Sequence, residues 1–273
     1  MIQQPFQVLR LVEQIAAVGV VVSVAELLAA RAQLAPAGLL NYPVPRTRSR
    51  RLVAAPYAPV LAAVFDYPAV LFLLGIRLAA AAAVAVGAPA DGAGTALVVL
   101  LAATSAAMSL RSPFGNDGAD QMTVLVFGSA ALARLAGTPL AAQAALWFLA
   151  AQTCLSYLTA GIAKSSARMW RDGTAIRGIF RTVVYGHARA GAYVARHPGL
   201  ATAAGWSVIV TECAFVAVFV TPSPYVYVIL AGGLGFHLAS AVLMGLNTFT
   251  WAFGATYPAL IFCASLSAGA LWS

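Results

Sequence analysis

One lysine stands among fifteen arginines in this chain, and the two cations are not equivalent. An amine in an apolar site can lose its proton near neutral pH and act as a base, whereas a guanidinium cannot. That residue, Lys164, lies in Tyr157-Leu-Thr-Ala-Gly161-Ile-Ala-Lys164-Ser-Ser-Ala-Arg-Met-Trp170-Arg-Asp-Gly173. Tyr157, Gly161 and Lys164 fall at i, i+4 and i+7 and so share one helix face. The same spacing also suits an ordinary interfacial lysine marking a helix end, and spacing alone does not separate the two.

Two further constellations interrupt an apolar chain. In Arg111-Ser-Pro-Phe-Gly115-Asn116-Asp117-Gly118-Ala-Asp120-Gln121-Met122 the glycines predict a tight turn. Asp120 and Gln121 follow at a helix start, where the helix dipole favours a carboxylate. Asn116 and Gly118 read most simply as a capped turn. Asn116, Asp117 and Asp120 could instead approach a divalent cation, but calcium takes about six to eight oxygens and the segment does not supply them. The third set is Glu212 and His237 in consecutive apolar runs, followed by Gly245-Leu-Asn247-Thr-Phe249 and Tyr257-Pro258. A buried histidine is most often a hydrogen-bonded core residue, yet an acid and a histidine near mid-membrane together suggest a polar cavity.

The elements that must position these residues follow from composition. Of 273 residues 62% are hydrophobic and 9% charged, against about a quarter charged in soluble domains. A bilayer core takes about 20 apolar residues of helix and satisfies no exposed backbone group. The chain therefore reads as an all-α polytopic transmembrane bundle of about eight helices, at about 11–30, 58–87, 95–110, 121–137, 139–163, 201–220, 224–246 and 248–271, with no separate soluble domain. A charged start leads into the first apolar run, but Glu26 and Arg31 favour an uncleaved helix over a signal peptide. The third helix is short, a polar Asn247–Thr248 break separates the last two, and no internal repeat is present. The alanines at 78–85 allow close helix approach.

The stretch 164–200 is too polar to span. Ile176, Ile179, Phe180, Val183, Val184 and Tyr185 beside Arg177 and Arg181 predict an interfacial amphipathic helix at about 174–186. The net charge of +8 gathers at Arg31–Arg51 and Lys164–Arg196. That pattern reads as membrane topology rather than nucleic-acid binding, with both segments cytoplasmic and both termini outside. Cys154, Cys213 and Cys263 lie inside apolar runs, with no spacing for a metal or a disulfide framework.

Taken together, these residues resemble the transmembrane domain of the vitamin K-dependent gamma-carboxylase-like superfamily, known in bacteria as the HTTM domain. The likeness rests on Tyr157-x-x-x-Gly161-x-x-Lys164-x5-Trp170-x-x-Gly173, on the Gly115–Gln121 turn, and on Phe236-His237 with Gly245 and Phe249. The chain looks most like the short, membrane-only branch typified by the sporulation-delaying protein B family.

The resemblance implies a single HTTM-like domain over 1–273 in the cell membrane and a reduced isoprenoid quinone of the vitamin K type as cofactor, with no metal. It also implies a separate protein partner and a peptide substrate. Lys164 takes the place of the carboxylases' base, with His237 as a second catalytic candidate. Asn116, Asp117, Asp120, Tyr157, Trp170 and Glu212 are the candidates for the substrate cavity. In the turn where the carboxylases carry a histidine, this chain has Asn116-Asp117-Gly118. The alternative is a non-catalytic membrane component in maturation, export or immunity of a secreted antimicrobial peptide. A small-solute transporter is less well supported, since no inverted repeat is seen.

Overall fold

A computed structural model of the chain describes residues 5–43, 56–111, 118–222 and 224–272, with side chains to residue 267. Among these residues there is no strand. The helices are α1 (Pro5–Ala29), α2 (Ala58–Phe65), α3 (Ala69–Ala85), α4 (Gly92–Arg111), α5 (Gly118–Ala136), α6 (Pro139–Ser166), α7 (Arg168–Arg171), α8 (Thr174–Ile179) and α9 (Ala188–Arg196). They continue with α10 (Pro198–Ala214), which runs into a 3-10 turn at Phe215–Phe219, and then α11 (Tyr225–Met244), α12 (Asn247–Gly254) and α13 (Tyr257–Trp272). The protein is an all-α polytopic helical bundle.

Every apolar segment expected from the sequence is helical, but not all cross a membrane by the same criterion. Six stretches among the described residues are long and apolar enough: α1, α4, α6, α10 with its 3-10 turn, α11, and α12 joined to α13. The pair α2 and α3, bent by 72°, makes a seventh if it counts as one span. Helix α5 falls outside because its 19 residues include Asp120, Gln121 and Arg134. The single helix expected over 58–87 breaks at Asp66–Pro68. Pro68 has no N–H to continue the ladder, and its ring disfavours helical geometry in the residue before it.

The chain divides into two compact units, Gln4–Ala145 and Leu146–Ser273. In the first, α1 packs on α3 and α5, while α4 packs on the same two helices. The buried stripe of α1 is Val8, Leu9, Val12, Glu13, Ala16, Ala17, Val20 and Val24, one helical face, as expected of a span whose other faces meet lipid. Charge is buried here too. The guanidinium of Arg134 reaches both oxygens of Glu13, at 2.8 and 2.6 Å. Arg77 donates to Thr104 and Ser105, each at 2.9 Å. Arg111 donates to the carbonyl of Leu40 at 2.8 Å and to that of Phe65, the last residue of α2, at 3.4 Å. In this way Arg111 satisfies a carbonyl left open by the break before α3.

In the second unit, α10 packs against α7, α8, α9 and α11, and α11 against α12 and α13. The interfacial helix expected at 174–186 ends at Ile179 as α8. Beyond it Thr182 bonds locally: its hydroxyl donates to the Ile179 carbonyl at 2.8 Å and accepts from the Tyr185 N–H at 3.1 Å. Such local bonding offers the backbone an alternative to helix. Amphipathic character passes to α9, where Val194 is buried and Arg189 and Arg196 are exposed.

Candidate functional site

The second unit gathers two polar pairs along one face of α6. At its C-terminal end, Lys164 Nζ donates to Glu212 Oε1 and Oε2 at 2.7 and 2.8 Å. Two turns earlier, Tyr157 Oη and His237 Nε2 share a hydrogen bond at 2.6 Å, its donor set by the imidazole tautomer. A helix rises ~1.5 Å per residue, so the seven-residue spacing sets the two pairs roughly 10 Å apart along the axis.

Their environments differ. The Lys164 side chain keeps 21% of its surface and Glu212 only 5%, with the amine 5.1 Å from the centre of the Trp170 ring. Tyr157 and His237 are each 3% exposed. Tyr157 stacks on Phe215 at 3.9 Å and meets Phe253 edge-on at 5.5 Å. His237 stacks on Phe253 at 5.0 Å. Tyr257, 3.3 Å from the Tyr157 hydroxyl, extends the cluster. One end of the face is thus a reachable ion pair beside a flat indole. The other is a filled aromatic core.

The glycines of the motif explain how the partners come so near. A Cβ on Gly161 would lie 2.7 Å from Cys213 Sγ and 3.0 Å from Glu212 Cβ, so only glycine lets α6 meet α10 there. Partner numbers rise along α10 and into its 3-10 turn (Glu212, Cys213, Phe215) as they fall along α6 (Lys164, Gly161, Tyr157), which makes the helices antiparallel. Gly173 has φ +75° and sits against Ala201 and Thr202 of α10, a left-handed conformation that other residues adopt only with strain. It turns the chain after Trp170 back onto α10.

Helix α11 brings His237 in on a narrow stripe with Val226, Leu230 and Gly233. A Cβ on Gly233 would come within 2.5 Å of Tyr257 Oη, so α11 lies directly on the tyrosine pair.

The structure therefore brings together Tyr157, Lys164, Trp170, Glu212 and His237. Asn116 and Asp117 lie outside the described residues. Asp120 belongs to the first unit, exposed in the first turn of α5. The sequence reading did not foresee Phe215 and Phe253 around Tyr157; their apolar surroundings give no signal that distinguishes them. Chemically, the Lys164–Glu212 pair can hold or move a proton between nitrogen and oxygen along a short hydrogen bond, and the Tyr157–His237 pair can do the same in a drier setting. No family model, curated protein or solved structure matches the chain.

Proposed function

We propose that this protein is a multi-pass cell-membrane enzyme that uses a reduced isoprenoid quinone to modify a peptide presented by a separate partner, with Lys164 as the base. The observation that carries the reading is the Lys164–Glu212 pair: the only lysine of the chain, partly reachable, with a buried carboxylate against its amine. Proton transfer along the 2.7 Å hydrogen bond converts ammonium and carboxylate into amine and carboxylic acid. The free amine then accepts the proton of a hydroxyl brought beside it.

The residues present fit a flat, lipid-soluble, hydroxyl-bearing molecule. Trp170 offers an aromatic face next to the amine, and Ile162 and Met169, about half exposed, offer apolar surface close by in sequence. A reduced quinone bound there would supply the oxygen-dependent chemistry that turns a weak base into a strong one. Glu212 orients the lysine and takes up its proton. Tyr157 and His237, enclosed by aromatic rings, fix the lower part of α6 against α11.

A second reading is favoured by a specific observation. The same ion pair also ties α6 to α10 beside Gly161, as a scaffold would, and a non-catalytic component in peptide maturation, export or immunity needs no more. One substitution separates the two. Lys164→Arg keeps the charge and a bidentate partner for Glu212 but removes the deprotonatable amine. With both proteins at equal abundance in membranes, peptide maturation or quinone turnover is expected to vanish in the variant. Full activity of Lys164→Arg overturns the base and leaves the scaffold.

A further inference from the structure

Residues 167–197 connect two candidate spans, α6 and α10, so both ends of this segment are fixed at one face of the bilayer. It carries Arg168, Arg171, Arg177, Arg181, Arg189 and Arg196 against one acid, Asp172; six less one leaves five uncompensated positive charges. Asp172 is itself engaged: it accepts from the Thr174 N–H at 2.9 Å and lies 3.8 Å from Arg168. Five of the six arginines are exposed. The half-buried sixth, Arg177, has an Nε with no hydrogen-bond partner among the described residues. Between the arginines, Met169, Val183, Val184, Tyr185 and Tyr193 are also exposed, Val183 completely.

Exposed valines and a methionine among arginines would be costly in water but suit the boundary between headgroups and acyl chains. There apolar side chains sink, tyrosines sit at headgroup level and guanidinium groups reach out to phosphates. All six cations are arginine, whose planar fork matches phosphate oxygens in pairs. We propose that this surface binds anionic phospholipid headgroups of the adjoining leaflet. Its fixture at both ends to spanning helices holds it against lipid, which favours that partner over a soluble acidic protein.

The test uses the full chain reconstituted into phosphatidylcholine bilayers with trace spin-labelled phosphatidylglycerol or spin-labelled phosphatidylcholine, and reads the relative association of each with the protein. Each arginine near a charged surface favours an anionic lipid by about fivefold. A preference for phosphatidylglycerol of at least that size is expected, weakening as salt is added because exposed charges are screened. The triple variant Arg171→Gln, Arg181→Gln, Arg189→Gln is expected to bring the two lipids close to parity. The matching triple lysine variant, which guards against a folding defect, is expected to keep most of the preference. Equal association of both lipids with the unmodified chain, a salt-insensitive preference, or retention of the preference in the glutamine variant overturns the proposal.

Discussion

Each unit buries a carboxylate against a cation, yet the two pairs are built differently. In the first, Arg134 and Glu13 are closed in, with 6% and 2% of their side-chain surfaces exposed, and the guanidinium also points toward the Pro89 carbonyl at 3.4 Å. In the second, Lys164 keeps 21% of its surface and turns one side to Trp170. A guanidinium held by two oxygens is a rigid strut; a half-open amine held by two oxygens is a strut that can also give up a proton. The contrast shows that buried charge in a membrane bundle is not one phenomenon. What distinguishes a candidate reactive pair from a structural one is the chemistry of the cation and whether a second molecule can reach it.

The sharpest way to break this comparison is to neutralise both acids. Glu13→Gln leaves a buried guanidinium without its counter-charge, which costs about 3–5 kcal/mol; Glu212→Gln is expected to cost less, about 1–2 kcal/mol, because a partly exposed lysine can swing toward water. Reversible unfolding in mixed micelles measures both. Equal losses would mean that Lys164 is as enclosed as Arg134.

A smaller effect sharpens the description of the second unit. Tyr157→Phe removes the hydrogen bond to His237 while keeping the aromatic stack on Phe215. Side-chain hydrogen bonds inside membrane proteins average about 0.6 kcal/mol and reach about 1.7, so a loss near 1 kcal/mol is expected in the same unfolding measurement. A loss above about 3 kcal/mol would show that the phenol does more than close that bond.

The smallest effect lies outside the spans. Hydrogen bonds from the Thr174 side chain and backbone N–H hold the carboxyl of Asp172 below its ordinary value of 3.8. A depressed acid supports the start of α8 at pH values above 3.8 and loses that support as the pH falls through the lowered value. Amide exchange at Thr174–Arg177 is expected to speed up, relative to the intrinsic rate, only below pH 3.8, and Asp172→Asn to abolish the dependence. A dependence that persists in the asparagine variant would assign it to another group.

Much of the bundle could be read from hydropathy, because lipid imposes long apolar runs and each expected run is helical, though those over 58–87 and 248–271 are each two helices. The break at Asp66–Pro68 was written in the chain, as an acid and a proline inside an alanine-rich run, but the apolar count on either side outweighed it. The end of α8 was not legible: an apolar stripe continues to Tyr185, whereas the helix stops at Ile179 and Thr182 bonds to the local backbone beyond it. Among the site residues, Tyr157, Lys164, Glu212 and His237 announced themselves by being polar where lipid penalises polarity. The Arg134–Glu13 pair did not, since its members stand 121 residues apart and neither belongs to a motif. Pairing across such a distance is decided by packing, which periodicity does not encode.

The solitary lysine has a practical consequence. Lys164 is the one lysine among these 273 residues, so within them an amine-directed acylating reagent reports on a single side chain. Because only the unprotonated amine attacks such reagents, the labelling rate followed against pH gives the proton affinity of that nitrogen in place. Shielding from the reagent would likewise reveal any molecule seated over Trp170. The chain thus carries its own titration probe at the position where its chemistry is proposed to occur.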